Sequence, residues 1–387
     1  MKRNPNYVLQ EICGTRYLMP VGQSIADRQP FLKINKTGVM IWELLKDDID
    51  EEELFVKIHE LLNKEENPNL EESTAREELL DFIKVMKARG LLEEPISVSL
   101  KIPARCYRIG GLKWRLHIPV GCLPEMFADF EEEDPSAAAD QCVEMRFFTP
   151  RAKACGNMLF QNENLCVMER EDCYIILFPS LQGIEELRLK KDGSMAVFYT
   201  SPPFDEAFRV RFFQALRLPF LYLAEKRGMY ALHSASILYE NRAWLFSGKS
   251  GTGKSTHTNL WNRLFETPVL NGDLNLLAID QEGAKVYGIP WCGTSGIHTT
   301  DMRPLGGIVL LKQGKEETLL PLSEEEKRLH VMMRLISPVW DGEMLAGTLD
   351  FVDRLAACIP VYRFSCTKEE TAAVEMKRII DQKKADA

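Results

Sequence analysis

FSGKSGTGKST, residues 246–256, decides how the rest of the chain is read. Gly248-Lys249-Ser250-Gly251-Thr252-Gly253-Lys254-Ser255 fits the phosphate-loop pattern G-x-x-x-x-G-K-[ST] in full. Its context also fits: an apolar strand-like run, Ala243 to Phe246, leads in, and a helix-forming run, KSTHTNLWNRLF, leads out. Glycines let backbone N–H groups converge on phosphate oxygens without Cβ clashes. The helix N-terminus adds its positive dipole end. The residues from Gly248 to Thr256 (Gly248, Lys249, Ser250, Gly251, Thr252, Gly253, Lys254, Ser255 and Thr256) are therefore expected to bind ATP. Lys254 would reach the β- and γ-phosphates, and the Ser255 hydroxyl would ligate Mg²⁺. Binding, hydrolysis and transfer all start from such a loop, so the surroundings must tell them apart.

A phosphate loop of this kind needs an acidic partner for its metal. Asp273, in PVLNGDLNLLAID, follows an apolar strand-like run, where such a carboxylate belongs. Asp280 is the rival, but it opens the turn DQEG. His233 starts a strand–turn–strand run, YALHSASILYENRAWLFSG, that leads directly into the loop. Its place, more than its type, makes it a catalytic candidate beside Asp273 and Lys254.

The bulk numbers exclude several functions. At 387 residues the chain is long enough for two or three domains. A formal net charge of −9 offers no basic excess for a nucleic-acid backbone. The ten cysteines form no C-x-x-C pair and no zinc-like cluster, which suits a reducing compartment. The N-terminus has no signal-peptide core, and no apolar run approaches the ~20 residues of a membrane span. A cytoplasmic protein without membrane or nucleic-acid partners is expected.

Three segments are distinguished. Residues 1–96 hold a hairpin-like stretch, YVLQEICGTRYLMPVG, then three helical patterns. Asn35 is the expected N-cap of the first, acids crowd the first turn of the second, and Gly90 ends the third. That is the content of a small winged-helix domain. Winged helices commonly bind DNA, but Asp47, Asp48, Asp50, Glu51, Glu52 and Glu53 argue against it here. Residues 97–204 are β-rich, with the strand-like runs VSLKIP, LKWRLHI, CYIILFP and MAVFYT, a charged loop at DFEEEDPSAAAD and no chemical constellation. His117 reads as a strand residue. Residues 205–387 are α/β.

INKTGVMIWELL together with ELLDFIKVMKARGLLEE resembles the PqqD family, the peptide-recognition domains of ribosomal peptide maturation, over most of residues 4 to 95. The resemblance implies a groove between the hairpin edge and the third helix, in which a leader peptide adds as a strand. The run from His233 through the phosphate loop to Asp273, with VYGIPWCGTSGIHTTDMRPLGGIVLLKQ after it, resembles the HPr kinase/phosphorylase family over roughly residues 205 to 366. It implies the compact P-loop core shared with ATP-type phosphoenolpyruvate carboxykinases, and a ring-like homo-oligomer.

One departure stands out. That family carries two consecutive acids, the first taken as the base; here the pair is Gly272-Asp273. Asp273 matches the metal-side acid, so the base is either Asp273 itself or another group. His298 is a candidate to orient the acceptor, and Arg303 to neutralise the transferring charge. Arg334 is read as structural, with a phosphate contact as the alternative.

The leading expectation is an ATP- and Mg²⁺-dependent kinase. It would phosphorylate a Ser/Thr hydroxyl of a peptide docked on residues 1–96, as a tailoring enzyme for ribosomally made peptides. A small-molecule kinase acting on something like free serine, and an ATP-dependent peptide chaperone without phosphotransfer, are the alternatives; a carboxykinase is a fourth.

Overall fold

In strand β1 (Lys2–Arg3), the hairpin β2 (Tyr7–Ile12) and β3 (Thr15–Pro20), strand β4 (Leu32–Ile34), helices α1 (Lys36–Leu44), α2 (Glu51–Glu65) and α3 (Glu72–Ala88), and strand β5 (Leu92–Glu93), local chemistry accounts for most boundaries. Cys13 and Gly14, both at positive φ (49° and 76°), make a two-residue turn between Ile12 and Thr15. The Asn35 side chain accepts from the Gly38 N–H at 2.8 Å and starts α1. Gly90, at φ 70°, ends α3, and the Leu91 N–H reaches back to the Met86 carbonyl. Leu18, Ile41, Trp42, Leu54, Ile83 and Met86 share one core. The hairpin and three helices lie where the sequence puts them. The third strand, β4, pairs with β3 and has no sequence signature, because three residues carry too short an alternation to read.

The computed structural model describes the chain except residues 22–30, 48, 50, 66–71, 94–101, 133–137, 148–155, 202 and 386–387. Asp48, Asp50, most of the run VSLKIP and the middle of the charged loop lie outside the described residues.

The middle segment is one nine-stranded sheet of β6 (Arg105–Ile109), β7 (Leu112–His117), β8 (Glu131–Glu132), β9 (Gln141–Phe147), β10 (Asn157–Gln161), β11 (Cys166–Glu169), β12 (Cys173–Leu177), β13 (Ile184–Lys190) and β14 (Met195–Thr200). Its order is β10-β11-β12-β13-β14-β9-β7-β6-β8, with parallel pairing at β14–β9 and β7–β9. His117 is a buried strand residue whose Nδ1 lies 2.8 Å from the Ile102 carbonyl.

Helix α4 (Glu206–Lys226) is capped by Asp205, which accepts from the Phe208 N–H at 2.8 Å, and closed by Gly228 at φ 69°. Phe208, Phe212, Leu216 and Phe220 join α4 to the core of the middle sheet, in one cluster with Leu274, Trp291 and Trp340 from the last segment. The middle sheet and the phosphate-loop region thus share apolar surface through α4.

The last segment contains β15 (Tyr230–Tyr239), β16 (Arg242–Ser247), α5 (Lys254–Phe265), β17 (Val269–Asn271), β18 (Leu274–Asp280), β19 (Gly283–Tyr287), β20 (Met302–Gln313), β21 (Thr318–Leu320), α6 (Glu324–Met332), β22 (Leu335–Ile336), α7 (Gly342–Cys358), β23 (Val361–Cys366) and α8 (Glu370–Ala385). Glu240 and Asn241, at φ 50° and 60°, form the turn between β15 and β16. Two long strands each serve two sheets. Tyr230–His233 of β15 pairs with β18, whereas Ser234–Tyr239 pairs with β16. Likewise β20 pairs first with β19 and then, beyond Leu305, with β16 in parallel. His233 therefore stands where β15 passes from one sheet to the other. The whole is a mixed α/β fold with large sheets, and no described helix is long and apolar enough to cross a membrane.

Two ionisable groups, one buried and one half-buried, tie the stability of this fold to pH with opposite signs. His257, in the first turn of α5, is 2% exposed, accepts from Trp261 Nε1 at 3.2 Å, and is pushed down to about 4 by burial. Between pH 6.5 and 4 the unfolded chain binds a proton there that the folded one refuses. Stability is full above pH 6.5 and falls as pH drops toward 4, by up to about 3 kcal/mol. Glu225, at the end of α4, accepts from Ser337 Oγ and is raised to about 7 by burial. Here the folded state keeps the proton, so this contribution is lost as pH rises through 7. The two windows overlap, so between about pH 4.5 and 6.5 the slopes oppose each other and largely cancel in the parent. In denaturant unfolding, His257→Gln should leave stability that falls from about pH 4.5 to 7, and Glu225→Gln stability that rises from about pH 4 to 6.5; a profile unaltered from the parent in either variant contradicts that assignment.

Candidate active site

The phosphate loop takes its shape from three glycines. Gly251 and Gly253 adopt φ 78° and 100°, a region that penalises any Cβ. A Cβ on Gly248 would lie 2.5 Å from Thr252 Oγ1. Inside the loop, the Thr252 N–H and hydroxyl both donate to the Lys249 carbonyl, at 3.1 and 2.8 Å. Gln313, at the end of β20, donates to the Gly251 carbonyl at 2.9 Å. Helix α5 has Gly253 as its N-cap and no side-chain cap, so no capping side chain takes up its first N–H groups. A cleft of about 600 Å³ runs along Gly248–Thr252 toward Arg334 and Arg363. A second, of about 270 Å³, runs along Gly253 and Thr256 toward Thr367 and Lys368.

Lys254, His233 and Asp273 converge beside the loop. Lys254 Nζ donates to His233 Nε2 at 2.8 Å, and His233 Nδ1 lies 3.4 Å from Asp273 Oδ1. An ammonium has only donors, so the imidazole Nε2 is the acceptor and Nδ1 carries the hydrogen facing the carboxylate. Burial, then the adjacent Lys254 charge, hold His233 below its ordinary value. Burial also lowers Lys254. His233 is thus neutral near pH 7 and accepts a hydrogen bond from the lysine.

Buried amides and hydroxyls fix this geometry. The Ser234 N–H donates to the Asp273 carbonyl at 2.8 Å, and Ser247 Oγ donates to the His233 carbonyl at 2.7 Å. Asn271 Oδ1 accepts from the Asp273 N–H at 3.1 Å while its Nδ2 donates to the Ile289 carbonyl. Asn275 Nδ2 donates to the Ser234 carbonyl at 2.6 Å, and its Oδ1 accepts from Ser236 Oγ at 2.7 Å. Sequence reading singles out none of these. The only signal is polar residues on strands otherwise buried, in HSAS and LNGDLN.

The other candidates have charged partners of their own. Asp280 ends β18 and pairs with Lys285 at 2.7 Å. His298 Nε2 is 2.8 Å from Asp129 Oδ2, and its ring stacks on Phe130, so it anchors the glycine-rich loop to the middle segment. Arg303 pairs with Asp301 near the start of β20, whereas the loop's Gly248 abuts Leu311 near its far end. Eight residues of strand separate them, a contour of about 26 Å. Two other arginines are better placed. Arg334 and Arg217 both act electrostatically on His233, and Arg217 on Asp273 as well. Neither forms an ion pair among the described residues. Lys254 and Arg217 thus act on one carboxylate while Arg334 acts on His233 and Lys254, an excess of positive charge suited to an anion. Arg217 escapes sequence reading because FQALRLPF looks like an ordinary amphipathic helix.

The glycine at position 272 has a steric cause. A Cβ there would fall 1.9 Å from Ser295 Oγ and 3.0 Å from the Cys292 carbonyl. The loop 292–298 occupies the space that an acid would need, and the Gly272 N–H donates to the Ile297 carbonyl at 3.1 Å.

No family model and no curated protein matches the chain. Among solved structures, an Hpr(Ser) kinase/phosphatase from Coxiella burnetii matches at 11% identity and a TM-score of 0.23, covering 40% of this chain and 97% of that one. A likeness so distant decides nothing about chemistry, and the functional reading rests on the site residues alone.

Gly272→Asp should not behave as a repaired active site. The collision with Ser295 should cost about 1–3 kcal/mol, typical of overpacking. Adding Ser295→Gly should recover part of that in thermal unfolding. A single variant as stable as the parent would show that the loop yields freely.

Proposed function

We propose that the chain is an ATP-dependent phosphotransferase that moves the γ-phosphoryl group to an acceptor hydroxyl. The observation that carries this reading is the convergence of Lys254, His233 and Asp273 at the uncapped start of α5. ATP would lie with its phosphates on Gly248–Thr256. Lys254 would leave His233 for the β- and γ-oxygens, which compete well for a half-buried ammonium.

Magnesium fits the residues present. Ser255 is exposed in the first turn of α5, and Asp273 is 33% exposed. No group of three or more His, Cys, Asp or Glu among the described residues could hold a metal unaided. Two protein oxygens, with water and phosphate completing the shell, match the habit of this ion. When bound it would neutralise charge on the β- and γ-phosphates.

In the transfer step the acceptor oxygen bonds to the γ-phosphorus and the bond from that phosphorus to ADP breaks. The hydroxyl proton passes to Asp273, the carboxylate nearest the cluster. His233, released from Lys254, regains a free Nε2 lone pair, and its Nδ1–H continues to orient Asp273. With Gly272 in place of an acid, one carboxylate serves both metal and proton. That is tolerable because a loose transition state depends mainly on positioning and charge.

Residues 1–96 suit the delivery of a peptide acceptor. Strand β2 is an edge of its three-stranded sheet among the described residues, and an added peptide strand would pair there. Tethering would raise the local concentration of the acceptor. On this reading the enzyme is a Ser/Thr kinase of ribosomal peptide maturation.

Incubation with Mg²⁺ and γ-labelled ATP, with leader-bearing Ser/Thr peptides and free serine, tests the proposal. Label should appear on an acceptor. Lys254→Ala should abolish turnover, and Asp273→Asn should lower kcat about 10²- to 10⁴-fold. Label confined to inorganic phosphate would favour an ATP-driven chaperone instead. Deleting residues 1–96 should sharply raise the KM for peptide; an unchanged KM would remove the docking role.

A further inference from the structure

A separate cleft, of about 380 Å³, lies between the middle sheet, α4 and the segment after β22. Leu181 and Leu218 form apolar wall, and Ser180, Gln214, Ser337 and Arg217 supply polar groups. Two observations tie it to the catalytic cluster. First, the Arg217 guanidinium that lines the cleft also acts on both Asp273 and His233. Second, the cleft wall at residues 336–338 continues directly from the site: the Arg334 carbonyl accepts from the His233 N–H at 2.9 Å, and Leu335 and Ile336 pair with Leu232 and Ala231. Arg217 is partly withdrawn from water, yet the described residues give it no hydrogen bond or ion pair. A guanidinium in that state is poorly compensated until an anion arrives.

We propose that this cleft holds the phosphate acceptor, and that Arg217 grips a carboxylate of the acceptor so that its hydroxyl lies at Asp273. The inference rests on the kinase reading and deepens it. A planar fork suits bidentate capture of a carboxylate. The volume is at the low end for a ligand site and admits one or two residues, not a folded surface. The acceptor is thus a small hydroxy carboxylate unit, either a free hydroxy amino acid or a Ser/Thr in a peptide with a carboxylate beside it. Oxygen-to-phosphorus bond formation, loss of ADP and proton transfer to Asp273 proceed as above, with the arginine unchanged.

Titration calorimetry on the full chain, with Mg²⁺ and a non-hydrolysable ATP analogue, reads the site without turnover. The probes are L-serine against L-serinamide, and short Ser peptides with a neighbouring Asp against the same peptides with Asn. The carboxylate form of at least one pair should bind about 10-fold or more tightly, as expected for a charge-assisted bidentate contact, and the pair that responds identifies the source. Arg217→Gln should erase the difference and Arg217→Lys should keep part of it. Asn164→Trp, at an exposed position of the rim, should weaken both forms and covers the case in which the arginine variants do not fold. No carboxylate preference in the parent protein, or a preference that survives Arg217→Gln, overturns the inference. Label transfer measured on the same acceptors separates the two ideas. Carboxylate-selective binding without transfer contradicts the kinase reading and supports the site; transfer without carboxylate selectivity contradicts the site alone.

Discussion

The site depends on one hydrogen bond, from the Lys254 ammonium to the neutral imidazole of His233 at 2.8 Å. Burial disfavours charge on both groups, and the lysine's charge makes the histidine harder still to protonate. A neutral histidine is a weaker partner than a phosphate oxygen. The lysine is therefore held in place but not satisfied. Arg217 and Arg334 increase the demand for an anion, and Asp273 meets only part of it. Polyphosphate would supply what the protein withholds.

That bond requires β15 to change sheets at His233. The strand pairs with β18 up to His233 and with β16 from Ser234, so the histidine faces the loop while its neighbours remain fully bonded. The buried Ser and Asn side chains around Ser234, Asn271 and Asn275 satisfy the backbone groups that this crossing exposes. A partly satisfied network there would be costly, and its completeness gives the site its rigidity. The middle sheet contributes by packing against α4, which carries Arg217 toward the same point.

How much of the molecule is legible in the sequence depends on distance along the chain. The phosphate loop, the Asn35 cap and the Gly90 stop depend on neighbours within a few residues, and they read directly. Asp273 and His233 can be placed from order alone, His233 within the strand before the turn that leads to the loop and Asp273 just after the short strand that follows α5. Arg217, the parallel pairings of β9 with β14 and of β16 with β20, and the Ser295 contact over Gly272 join residues far apart in sequence. No local pattern encodes them. Position 272 shows the difference most plainly. In sequence it is a missing acid; in the fold it is the only residue type that lets the glycine-rich loop close over the site.

Nitrogen-15 NMR of the His233 imidazole, with and without a magnesium-bound non-hydrolysable ATP analogue, tests this account most directly. Without nucleotide the ring should be neutral at pH 7, protonated at Nδ1, with Nε2 shifted by the lysine bond. With nucleotide, Nε2 should lose that shift and the ring should titrate at higher pH, because Lys254 has moved to the phosphates. Identical shifts and titration in both states would mean that Lys254 never leaves His233, and the proposed handling of phosphate would fall with it.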